Sequence, residues 1–201
     1  MKKDFILCKE VINKEMALYL YDYLLLKRQS FRTLFNKKLI SSKNYDWGQW
    51  GDEQVPNSYS VYGDLALDLL LSKVKPFMEK KTGVKLIETY SYARVYKKGD
   101  ILKKHKDRIS CQISATMNLG GDLWPIHLQT PNKKITSITL NPGDILIYRG
   151  DKLYHWRDKF EGNYCGQVFL HYNNRVSQGE KWKYDMRPFI GLPADFKKQQ
   201  H

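Results

Sequence analysis

Residues 93–107 read Ala93-Arg94-Val95-Tyr96-Lys97-Lys98-Gly99-Asp100-Ile101-Leu102-Lys103-Lys104-His105-Lys106-Asp107. The stretch opens inside an alternating segment over residues 85–97, in which Tyr92, Arg94 and Tyr96 share one side of an extended chain. Lys97-Lys98-Gly99-Asp100 is a turn signal. His105-Lys106-Asp107 closes the first long strand and its turn. Because residues i and i+2 of extended chain point to the same side, the imidazole and the carboxylate can face one point in space.

Downstream, short apolar or alternating segments recur at 111–119, 123–129, 135–140, 144–149 and 164–172. Gly120-Gly121, Pro131-Asn132, Asn141-Pro142-Gly143-Asp144 and Glu161-Gly162-Asn163 punctuate them. That rhythm predicts an antiparallel sandwich or barrel. Gln112, Ser114 and Thr116 would share one face of their strand, and so polar a face suits a cavity wall better than a plain core.

Upstream, the texture is helical. Residues 4–9 predict an edge strand. Met16, Leu20, Tyr23, Leu24 and Leu34 then fit an amphipathic helix from Asn13, as N-cap, to about Phe35. Residues 41–60 read as a loop with Trp47 and Trp50 as aromatic anchors. A second helix is expected from about Asp64 to Lys81, with Leu65, Leu69, Val74 and Phe77 at helical spacing, a kink at Pro76 and a stop at Thr82-Gly83. From Arg175 the chain predicts irregular coil. The sum is one α+β domain: helical support over about 1–83, a β-core over about 84–175 and a C-terminal coil over about 176–201.

With 201 residues, 42% hydrophobic and 13% aromatic, the chain is long and apolar enough for a real core. No run approaches the roughly 20 apolar residues of a membrane span. Lys9 and Glu10 interrupt the short apolar stretch after Met1, which argues against a signal peptide. Three scattered cysteines (Cys8, Cys111, Cys165) fit a reduced, cytoplasmic protein and make a thiolate zinc site an unfavoured reading. The net charge of +13 attracts polyanions, so an anionic substrate fits, and nucleic acid is a less favoured partner.

His-x-Asp alone is a common surface pattern, but a second histidine, His155, follows a strand at 144–149 and the Gly150-Asp151 turn, 48 residues after Asp107. Two histidines and one carboxylate on one face of an octahedral metal leave positions open for a chelating co-substrate and dioxygen.

Together with Ala93–Gly99, Ser114–Leu119 before Gly120-Gly121, and Pro142-Gly143-Asp144-Ile145-Leu146-Ile147-Tyr148 before His155, this resembles the prolyl-4-hydroxylase-like branch of the 2-oxoglutarate/iron(II) dioxygenases. The resemblance runs from about Leu86 to Asn173. It implies a double-stranded β-helix (jelly roll) and a metal site of His105, Asp107 and His155. It also implies Fe(II) and 2-oxoglutarate as cofactors, with ascorbate as an optional reductant. The implied reaction is hydroxylation of a C–H bond of a protein, prolyl or otherwise, or of a small molecule, with release of succinate and CO2. Tyr96 matches the tyrosine that hydrogen-bonds the 2-oxoglutarate carboxylate.

One feature of the family pattern is missing. A basic residue about ten positions beyond the distal histidine usually pairs with the distal carboxylate, and Glu161–Val168 contains none. Arg94 and Arg157 are the candidates to replace it, with Gln167 and Thr116 as neutral polar groups of the same pocket. Arg108, Trp124 and Tyr92 are candidates for the substrate side. Trp156 is a second candidate pocket wall, and His127 and His171 are expected to be structural histidines. A non-catalytic jelly-roll binding module and a basic nucleic-acid-binding protein are the alternatives; three metal-ligand residues at these spacings argue against the first.

Overall fold

The computed structural model of the chain describes residues 1, 3–178 and 180–196. Strand β1 (Phe5–Cys8) is followed by helix α1 (Lys14–Asn36), three short strands β2 (Lys43–Asn44), β3 (Gly48–Trp50) and β4 (Tyr59–Tyr62), and helix α2 (Leu65–Thr82). Then come β5 (Leu86–Lys97), β6 (Leu102–His105), β7 (Ile113–Gly121), β8 (Ile126–Gln129) and β9 (Ile135–Ile138). The remaining elements are β10 (Ile145–Tyr148), β11 (Tyr154–Arg157), β12 (Tyr164–Asn174) and a one-turn helix, α3 (Arg175–Gln178). Eight strands form a major sheet in the order β1-β10-β7-β12-β5-β4-β3-β2, and four form a minor sheet in the order β6-β11-β8-β9. All pairings are antiparallel. The expected jelly roll is the observed architecture.

Both helices begin where their caps lie. The Asn13 side chain accepts from the Met16 amide at 2.8 Å, and Asp64 caps α2 through Ala66 and Leu67. Gly83, at φ +68°, ends α2 in the left-handed conformation that glycine adopts without steric cost. The apolar phase of α2 differs from the sequence expectation. Leu65 and Leu69 are exposed, whereas Leu67, Leu70, Leu71, Val74 and Met78 face the sheet. In α1, Met16 is exposed and Ala17, Leu20, Leu24 and Phe31 are buried. A leucine-rich helix offers two overlapping stripes, and only the sheet position chooses between them. Within 41–60 the expected loop holds β2, β3 and the start of β4, because β4 pairs with the free edge of β5, β3 adds to β4 and β2 to β3. Trp47 is exposed there, while Trp50 packs against the core.

The alternation of the major sheet positions the site. Ala93 and Val95, Ala115 and Met117, Ile145 and Ile147, and Val168 and Leu170 share one core with Leu24, Phe31, Leu67 and Leu71 of the helices. Truncating a buried leucine there, such as Leu24→Ala, costs about 2–5 kcal/mol. The alternate residues, Tyr92, Arg94, Tyr96, Ser114, Thr116, Tyr148, Gln167 and His171, therefore face the minor sheet. Apolar packing closes the rest of the space between the sheets, with Ile126, Leu128 and Leu153 against Leu146 and Tyr148.

Candidate active site

His105 ends β6 and His155 lies in β11, directly opposite it in the antiparallel register. Each histidine sits in a short strand of its own; neither β6 nor β11 is evident from the sequence rhythm, because four residues rich in charge or aromatic groups do not stand out from their turns. Cross-strand pairing brings the two imidazoles to 4.2 Å between ring centroids. Nδ1 of His105 lies 2.8 Å from the Lys103 carbonyl, and Nδ1 of His155 lies 3.1 Å from the Leu153 carbonyl. A carbonyl can only accept, so both Nδ1 atoms carry a proton, and both Nε2 atoms are turned inward.

Asp107 follows β6 and is tied by its amide to the Gly150 carbonyl at 2.9 Å. Its Oδ1 stands 3.6 Å from His105 Nε2 and 3.3 Å from His155 Nε2. Its Oδ2 accepts from Ser114 Oγ at 2.6 Å, and that hydroxyl is also 3.0 Å from Nδ1 of His171. The donor atoms of His105, Asp107 and His155 all lie within 4.8 Å of one another. Burial alone would raise the Asp107 carboxyl, but hydrogen bonds from the two imidazoles outweigh it and hold the group well below the usual carboxylate range. Burial pushes the His171 imidazole down to about 4, so it is neutral.

This N,N,O donor set with oriented imidazoles suits iron(II). No thiolate competes: burial pushes the nearby Cys111 thiol up to about 12, and it contacts the Tyr90 hydroxyl at 3.2 Å. Gly150 belongs to the site for a steric reason. A Cβ there would overlap Asp107 Oδ2 and Ser114 Oγ, and would come within 2.6 Å of the Cys111 carbonyl oxygen.

The three side chains open into a cavity of about 400 Å³ whose walls include Tyr92, Arg94, Tyr96, Tyr148, Arg108 and His171. Tyr92 donates to Asp52 at 2.6 Å, and the buried Arg94 guanidinium pairs with the same carboxylate while touching the hydroxyls of Tyr92 and Tyr96. Arg157 is fully buried beside this cavity rather than in its lining. It donates to the Trp124 carbonyl and to Gln167 Oε1, which also accepts from Thr116 Oγ1 at 3.2 Å. Among the described residues no carboxylate pairs with Arg157, and its Nε finds no partner. Burial pushes the guanidinium below its ordinary value.

On the outer side, Arg108 lines the cavity but is already bound to Asp185 Oδ2 at 2.7 Å and to the Tyr90 hydroxyl at 3.3 Å. Asp185 arrives from the tail segment Lys183–Met186, in which Tyr184, Asp185 and Met186 all have positive φ. Arg187 clamps that segment through a buried ion pair with Asp68 at 3.0 Å. Trp124 is buried under Tyr96 and Phe160, away from the cavity lining. Trp156 is no pocket wall: it alternates with His155 and Arg157 and so points out of the minor sheet, against His127. Asp52, Asp185, Tyr90 and Gly150 are site residues that sequence reasoning missed. Asp52, Asp185 and Gly150 are brought in by a loop, the tail and a turn whose local pattern carries no sign of the cavity, whereas Tyr90 lies in β5 and the alternation through Tyr92, Arg94 and Tyr96 could have found it.

No protein-family model and no curated protein sequence matches the chain. Solved structures do. A prolyl hydroxylase from Trichoplax adhaerens, in complex with a hypoxia inducible factor peptide fragment, superposes with a TM-score of 0.66 at 12% identity, over 90% of this chain and 88% of that one. A Pseudomonas putida prolyl-4-hydroxylase gives 0.61 at 11% identity, over 87% and 94%. The non-heme alpha ketoglutarate dependent epimerase of nogalamycin biosynthesis also gives 0.61, at 10% identity, over 86% and 78%. The chain is thus built on the double-stranded β-helix fold of the 2-oxoglutarate/iron(II) oxygenases, prolyl hydroxylases among them.

Proposed function

We propose that this chain is an iron(II)- and 2-oxoglutarate-dependent oxygenase that hydroxylates a C–H bond. The observation that carries the reading is the convergence of His105 Nε2, His155 Nε2 and Asp107 Oδ1 at one end of the cavity, with each imidazole tautomer set by a backbone carbonyl. Iron(II) held there would supply, with 2-oxoglutarate and dioxygen, the oxidative decarboxylation that yields succinate and CO2 and oxidises the substrate.

The chain's own groups do the rest. Ser114 fixes the rotation of the Asp107 carboxylate, so that one oxygen faces the two imidazoles. Burial between two sheets excludes bulk water from the reacting groups. Arg157 is the anchor for the distal carboxylate of 2-oxoglutarate. Arg94 is already neutralised by Asp52, so a second carboxylate there would displace the first. Arg157 is a buried cation without an acid, and such a charge costs several kcal/mol until one arrives. Tyr96, Gln167 and Thr116 offer neutral hydrogen bonds around it. The prolyl hydroxylase likeness makes a prolyl peptide the first substrate to try.

The test is binding of 2-oxoglutarate to protein loaded with cobalt(II), followed by calorimetry. Arg157→Ala should weaken binding at least tenfold, about 1.4 kcal/mol, with Arg94→Ala affecting it less. Binding of 2-oxobutyrate, which lacks the distal carboxylate, should be the same in all three proteins. Equal loss for both ligands would show that Arg157 only supports the fold. Failure of the wild-type protein to bind cobalt(II) would overturn the oxygenase reading. Succinate release with iron(II) across peptide, amino-acid and oligonucleotide candidates then identifies the substrate.

A further inference from the structure

The strands that aim His105 and His155 inward aim a different set of side chains outward. By alternation Lys104, Tyr154 and Trp156 stand on the outer face of the minor sheet, with His127 and Gln129 of β8 in register beside Trp156 and Tyr154. Tyr154 is 45% exposed, so this face is not a core that happens to reach the surface. The Lys104 ammonium lies 5.3 Å from the centroid of Tyr154 and 4.9 Å from that of Trp156, and Lys106 lies 4.6 Å from Tyr154. Among the described residues neither lysine is paired with a carboxylate. His127 stacks on Trp156 at 5.3 Å and lies 3.1 Å from Asp158 at the edge of the face. Lys133 and Lys134, in the β8–β9 turn, are exposed.

We propose that this outer face binds single-stranded nucleic acid, with a base stacked on the exposed ring of Tyr154 and phosphates met by Lys104 and Lys106. Trp156, two residues along the strand and about 7 Å away, is held between His127 and Lys104 and walls the stacking site. An open four-stranded antiparallel sheet with aromatics on its exposed face is a known geometry for reading splayed bases. The net charge of +13 favours a polyanion over any neutral partner. Aromatic rings interleaved with the lysines favour bases over an acidic peptide, which would need the lysines alone. Lys106 belongs both to this face and to the rim of the cavity, so a bound strand would run toward the site mouth. The proposal concerns binding and does not depend on the reading of the metal site.

The experiment is fluorescence anisotropy of the full chain with labelled oligouridylate and oligothymidylate, each about a dozen nucleotides long, against duplex DNA and polyglutamate. Single strands should bind tighter than duplex or polyglutamate and quench tryptophan emission. Tyr154→Ala should weaken single-strand binding at least about fivefold while Tyr154→Phe keeps it. Lys104→Ala with Lys106→Ala should lower the slope of log affinity against log salt by about 1.4. A Lys80→Glu, Lys81→Glu pair at the end of α2 changes total charge more and should matter less. Circular dichroism and thermal melting of each variant establish that it is folded. Polyglutamate binding as tight as oligouridylate, Tyr154→Ala without effect in a folded protein, or the α2 pair losing as much as the Lys104 and Lys106 pair would each overturn the proposal.

Discussion

Gly150→Ala is the sharpest perturbation of the site, because it replaces none of the three ligand residues and adds one carbon. Gly150 holds Asp107 by its carbonyl, and its Cα faces the Asp107 carboxylate. The added Cβ overlaps Asp107 Oδ2 and Ser114 Oγ and lies 2.6 Å from the Cys111 carbonyl oxygen, where ordinary contact begins at 3.4 Å. A backbone oxygen cannot rotate away, so the strain must move the 149–152 turn or turn the carboxylate. Either outcome breaks the alignment of Oδ1 with the two Nε2 atoms. Overpacking of this kind costs about 1–3 kcal/mol of stability, and disturbing the support of a ligand costs about 10–100-fold in metal affinity. The assay is cobalt(II) titration by visible absorption, alongside a urea melt of the metal-free protein. A Gly150→Ala protein with wild-type cobalt(II) affinity and an unchanged urea midpoint would refute the argument.

Other outcomes follow from the same geometry. Asp107→Ala should abolish metal binding and succinate release while the protein still melts cooperatively, because the site is at the open end of the sandwich; a variant that retains turnover would remove Asp107 from the ligand set. The folded His171 value of about 4, against 6.5 for an ordinary imidazole, means that the unfolded chain binds the extra proton between those values. Stability present above pH 6.5 should therefore be lost toward pH 4, by on the order of 3 kcal/mol, and His171→Gln should flatten that slope in urea melts. His105 has the opposite sign. Burial lowers it, but hydrogen bonds to Asp107 and the Lys103 carbonyl leave it net raised, so its contribution fades only above pH 6.5 and does not obscure the His171 range.

Much of the fold is legible in the chain because its signals are local. Asn13, Asp64 and Gly83 mark helix ends through contacts within a few residues, and the alternation from Tyr92 to Tyr96 and from Ser114 to Thr116 sorts core from cavity two residues at a time. His105, Asp107 and His155 stand out by residue type and by the turns around them. What the chain alone leaves open is whatever depends on a partner distant in sequence. The choice of Leu67 over Leu65 as a core residue is made by where the sheet lies. The pairing of Arg94 with Asp52 rather than a ligand is made by a loop about 40 residues away, and that pairing is what leaves Arg157 as the cation without an acid. The Arg108–Asp185 contact spans 77 positions. Gly150 looks like any turn glycine until the Asp107 carboxylate is found against its Cα. Side-chain chemistry is written residue by residue, but charge compensation and steric fit belong to pairs, and only the tertiary structure decides which pairs form.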